Sequence, residues 1–90
     1  MRAPIDEPTS SFLWFAADDL QRQLGVAGAV EELVVEEMTG GVLLVAAIRI
    51  GQRTVEVRGA GANIVTAYAD LCVAVPAPVL ETAFTQLVES

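Results

Sequence analysis

The sequence predicts a small α+β domain of order α-β-β-β-α-α, with a three-stranded antiparallel sheet packed on helices. Three observations carry that prediction. Apolar residues recur at spacings of three and four between Phe12 and Leu24. Two turn signals, Thr39-Gly40-Gly41 and Gly51-Gln52, separate three runs rich in β-branched residues. A second helical pattern follows from Ile64 and is interrupted by Pro76 and Pro78. Strands that run together, instead of alternating with helices, point to a meander and away from a βαβ sheet.

Residues 1–10, with Pro4, Pro8, Asp6 and Glu7, read as a flexible N-terminal arm, and residues 11–90 as one domain. Thr9, Ser10 or Ser11 is placed to cap a helix that runs to about Leu24 and ends at Gly25 and Gly28. Its apolar stripe is Phe12, Leu13, Phe15, Ala16, Leu20 and Leu24; Trp14 falls partly off it, and Asp18 and Asp19 lie on the wetter side. The segment 29–38, AVEELVVEEM, fits either an edge strand or an amphipathic helix. The turn that follows it and the long apolar run Val42 to Ile50 favour a strand in a hairpin. Arg53 to Arg58 forms the third strand, with Val55 and Val57 alternating with Thr54, Glu56 and Arg58. Gly59-Ala60-Gly61 reads as a tight turn and Asn63 as the cap of a helix from Ile64 to about Val75, apolar around most of its circumference. Pro78 then starts a final helix, about 79–88, in which Leu80, Ala83, Phe84 and Leu87 share a face.

From Ser11 to Val75 this order resembles the double-stranded RNA-binding domain family. The residues that carry the resemblance are the hairpin from Glu36-Glu37 to Gly40-Gly41, the strand pair, Gly59-Ala60-Gly61 and Ala67. In that family a cluster of lysines opens the second helix and meets phosphates, and the hairpin loop carries a proline and a histidine. Here those helix positions hold Ile64, Val65 and Tyr68, and the loop reads Thr39-Gly40-Gly41-Val42-Leu43. The resemblance therefore implies the fold with its RNA-reading groups lost.

Charge points the same way. Twelve acidic residues against five arginines, with no lysine or histidine, give a net charge of -7 and disfavour nucleic acid as a partner. Without histidine the usual neutral-pH base and the commonest metal ligand are missing, so no enzyme activity, cofactor or metal site is expected. The paired glutamates 31–32 and 36–37 split between the two faces of a strand and read as edge charges that discourage aggregation. Cys72, the single cysteine, reads as a reduced core thiol, which makes the cytoplasm the default setting. No stretch approaches the roughly 20 apolar residues of a membrane helix, and nothing at the start resembles a signal core.

The composition is 53% hydrophobic with a mean hydropathy of +0.52, high for so small a globule. The second strand concentrates the excess: Val42, Leu44, Ala46, Ile48 and Ile50 take one face, and Leu43, Val45 and Ala47 the other. Helices on one side leave the other side to the last helix, a second copy or another protein. The leading expectation is a protein-interaction module that self-associates or docks a partner through Leu33, Val35, Leu43, Val45 and Ala47. Residual nucleic-acid binding through Arg49, Arg53 and Arg58 with Gly59 and Gly61 is the alternative. A small acidic secretion-chaperone-like protein is a second alternative, on its size, charge and element order.

Overall fold

A computed structural model describes residues 7–89. The elements are α1 (Glu7–Leu24), β1 (Ala29–Met38), β2 (Gly41–Ile50), β3 (Arg53–Gly61), α2 (Ile64–Ala74) and α3 (Pro76–Glu89). The three strands form one antiparallel sheet in the order β1-β2-β3. Both hairpins close through two-residue turns, with Gly40 at φ 81° and Gly51 at φ 63°, left-handed values that glycine adopts without a Cβ penalty.

Residues 7–10, read from the sequence as part of an arm, belong to α1. Pro8 sits in the first helical turn, where a missing N–H leaves no bond unmade. The rest of the arm, residues 1–6, lies outside the described residues. The strand assignment of 29–38 over its helical alternative is correct. Gly59-Ala60-Gly61 is not a turn: β3 continues through it, with Gly59 opposite Leu44 and Gly61 opposite Val42. Pro76 ends α2 and opens α3, as read from the sequence, two residues earlier than the start expected at Pro78, but the chain does not turn there. One residue, Val75, separates α2 from α3; it has right-handed helical φ and ψ, donates its N–H to the Leu71 carbonyl, and accepts from the Val79 N–H. The two helices therefore make one run from Ile64 to Glu89.

All three helices contribute to a core on one face of the sheet. Leu44, Ala46, Ile48, Ile50 and Val57 of the sheet pack with Ala16, Leu20 and Leu24 of α1, Ala67, Tyr68 and Leu71 of α2, and Val79 of α3. The apolar spacing read in α1 holds for Ala16, Leu20 and Leu24, whereas Phe15 is 62% exposed, one position past the covered arc. Cys72 is half-buried at the edge of this core, and the Gln23 amide lies against its sulfur.

The helix α2 sits close on β3. Asn63 caps it in a reciprocal box: its Oδ1 accepts from the Thr66 N–H, and its own N–H donates to Thr66 Oγ1. The Asp70 carboxylate accepts from the Ala60 N–H at 2.9 Å. At the far end, α3 is tied to the β2-β3 turn: Gln86 donates to the Ile50 carbonyl and accepts from the Gln52 N–H, and Arg53 pairs with Glu89 at 2.6 Å.

Candidate interaction surface

The helices leave the opposite face of the sheet open. The register places side chains there in four rows across β1, β2 and β3: Glu36, Leu43, Ala60; Val34, Val45, Arg58; Glu32, Ala47, Glu56; and Ala29, Arg49, Thr54. Val34, Leu43, Val45 and Ala47 form a half-buried apolar centre. Exposed charges surround it: Glu32 and Glu36 on one side, and on the other Glu56 bonded to Arg58 at 3.2 Å. One end is closed by the Thr54 hydroxyl, which donates to Glu31 at 3.2 Å.

Three of the five residues expected at the interface, Leu43, Val45 and Ala47, lie together on this face. The other two do not. Leu33 and Val35 stand opposite Ala46 and Leu44 and pack against the core. The cause is the length of the turn: the sequence reading took Thr39-Gly40-Gly41 as the turn, whereas Gly41 belongs to β2 and pairs with Met38, which sets odd positions of β1 opposite even positions of β2 from Leu33 onward. The sequence reading missed Val34 for the same reason. The available signal was the turn itself, since two residues between the strands fix which positions of β1 face those of β2. Nearer the start of β1, a register shift between Val30 and Glu32 returns the core face to even positions, with Val30 opposite Ile48.

The residues weighed for nucleic acid do not converge. Arg53 is held by Glu89 and Arg58 by Glu56, which leaves Arg49 as the sheet arginine with no ion pair among the described residues. Gly59 and Gly61 face α2: a Cβ on Gly59 would come within 2.6 Å of the Leu71 Cα, and one on Gly61 within 2.7 Å of the Thr66 carbonyl carbon. An anion would also find the Ala60 N–H already bonded to the Asp70 carboxylate. No group of three His, Cys, Asp or Glu side chains that could hold a metal ion occurs among the described residues.

A second apolar surface runs along the outside of α2 and α3. The core takes Ala67, Tyr68, Leu71, Val75 and Val79, and the opposite side of the helix presents Ala69, Val73, Ala77, Leu80, Phe84 and Leu87 to solvent. Val73 is 81% exposed, Leu80 69%, Phe84 66%, and Val88 beside them 68%. By length and composition the 26-residue run from Ile64 to Glu89, which holds an 18-residue window of mean hydropathy 1.5, passes for a membrane-crossing helix, although no such stretch was expected when Pro76 was read as a break. Its inner side is bonded to the sheet through Asp70 and Gln86.

The clearest electrostatic pair joins α1 to α2. The Tyr68 hydroxyl donates to Asp19 Oδ2 at 2.7 Å, and the Gln23 amide donates to the same oxygen at 2.8 Å. These two bonds hold the Asp19 carboxyl below its ordinary value of 3.8. Burial first, and then the bond to Asp19, pushes the Tyr68 phenol above its ordinary 10.0. A raised phenol pKa gives stability that is fully present below about pH 10 and is lost as pH rises through the folded-state value. The lowered carboxyl gives stability that is lost as pH falls below about 3.8. Tyr68 is the single tyrosine and the chain has no lysine, so it alone has an ordinary pKa near 10 among the side chains. In a Cys72→Ser background the melting temperature is expected to fall above pH 10 and, with Tyr68→Phe added, to stay level there. Equal alkaline slopes in both proteins would refute the assignment.

Together the fold and this surface define a small α+β domain with an open sheet face. No family model matches the chain, and neither a curated protein nor a solved structure matches it.

Proposed function

We propose that this chain is a non-catalytic protein-interaction domain that docks a partner on the open face of its sheet. The observation that carries the reading is the apolar centre Val34, Leu43, Val45 and Ala47 on the side away from all three helices, ringed by exposed charge. An apolar middle with a polar rim is the anatomy of a docking patch, and the acids Glu32 and Glu36 favour a partner whose own rim is basic. The order α-β-β-β-α supports reading the domain as similar to the double-stranded RNA-binding fold, with protein contacts in place of RNA contacts. The net charge of -7 and the internal pairing of Arg53 and Arg58 weigh against duplex RNA as the ligand.

The test is affinity capture from native cell extract with the wild type, Leu43→Lys and Leu80→Glu. Lysine at 43 stands opposite Glu36, so the sheet keeps a favourable cross-strand pair and folds. A defined protein retained by the wild type and Leu80→Glu, and held at least about tenfold more weakly by Leu43→Lys, is the expected result. Equal retention by all three proteins would overturn the sheet-face reading.

A further inference from the structure

We propose that the exposed stripe on α2 and α3 is a self-association surface on which two copies of the chain pair their helices antiparallel about a two-fold axis. The stripe is separate from the sheet face, and the inference does not depend on what docks there. Ala69, Val73, Ala77, Leu80, Phe84 and Leu87 follow one another at steps of four, four, three, four and three, close to the heptad spacing of a helix-pairing seam. On a helix exposed to water this is the side that carries charge in an ordinary surface helix. Here the only charges along Ile64–Val88 are Asp70 and Glu81, both beside the stripe.

The occupant follows from the distribution of side-chain size. The N-terminal half of the stripe is small, with Ala69, Val73 and Ala77, and the C-terminal half is large, with Leu80, Phe84 and Leu87. An antiparallel pair sets small against large at its centre: Ala77 meets Leu80 of the second copy, and Val73 meets Phe84. The same surface is then complementary to itself, as a two-fold interface requires. A parallel pair would set Phe84 on Phe84 and leave gaps between the alanines. Area agrees, since five large side chains at roughly 100 Å² each withdraw on the order of 1,000 Å² from two copies, the lower bound for a specific interface. Charge argues against a lipid surface: the five arginines are at 2, 22, 49, 53 and 58, so the run Ile64–Glu89 has none to meet anionic headgroups.

Sedimentation equilibrium over a concentration series tests the pairing, with wild type, Leu80→Glu, Phe84→Glu and Leu43→Lys compared. A wild-type dimer that both helix variants convert to folded monomers, and that Leu43→Lys leaves intact, is the expected result. Both altered residues are mostly exposed, so the variants keep their core. Orientation is read by oxidative crosslinking in a Cys72→Ser background. Val73→Cys and Phe84→Cys copies should crosslink when mixed and not when alone, because each cysteine lies about 16 Å along the helix from its own counterpart. A wild type that is monomeric at every concentration overturns the proposal. So does a dimer that only Leu43→Lys dissociates, or binding to phosphatidylcholine vesicles that Leu80→Glu abolishes while the protein in solution is monomeric.

Discussion

Alanine in place of Gly59 is expected to cost the domain about 3 kcal/mol or more, enough to leave a large part of it unfolded. The reason is space, because the glycines with left-handed φ are Gly25, Gly40 and Gly51 and not Gly59. A Cβ there would fall onto the Ala67 carbonyl oxygen and the Leu71 N–H nitrogen, within 2.6 Å of the Leu71 Cα. Those atoms are helix backbone, so relief requires moving α2 as a body. That shift would pull Ala67 and Leu71, both fully buried, out of contact with the sheet. Urea unfolding followed by circular dichroism reads the loss. The neighbouring substitution Ala60→Ser, at an exposed position, should stay within about 0.5 kcal/mol of the wild type. Equal midpoints for Gly59→Ala and the wild type would show that α2 does not rest on β3 as described.

Leu44→Ala should be nearly as costly. Leu44 is fully buried on the central strand, flanked by Val35 on β1 and Gly59 on β3. With helices above it and strands on both sides, the site has little freedom to collapse around the missing atoms. A loss of about 2–5 kcal/mol follows, and for a domain of this size each kcal/mol lowers the melting temperature by about 4–8 °C. The comparison Leu43→Ala, one residue away on the open face, should cost well under half as much. If the two substitutions cost the same, the assignment of faces on β2 is wrong.

The element order was legible in the sequence because local signals agreed with the global fold. The glycines at 40 and 51 mark turns that need left-handed φ, and the apolar run between them pairs on both sides. What misled were residues with two physical meanings. Gly59 and Gly61 were read as turn formers, whereas they stay in β3 and admit the close approach of α2. Pro76 and Pro78 do end α2 and open α3, but they were read as a change of direction, whereas Val75 keeps helical φ and ψ and the backbone goes on along the same course. Leu33 and Val35 were assigned to the wrong face because Gly41 was counted in the turn, whereas it opens β2 and pairs with Met38, which moves the register of β1 by one residue. The stripe on α2 and α3 was hidden for a related reason: with a break assumed at Pro76, Val73 and Leu80 belonged to different helices.

The order of contacts along the chain also bears on how it folds. β1 pairs with β2 and β2 with β3 through two-residue turns, and α2 returns directly onto the strand that precedes it. These closures span short loops, so the meander with α2 can assemble with little loop-entropy cost. The bond from Tyr68 to Asp19 instead closes 49 residues. Docking of α1 against α2 is therefore expected on the late side of the folding barrier. Substitutions at Leu20 should speed unfolding, and those at Leu44 or Val57 should slow folding.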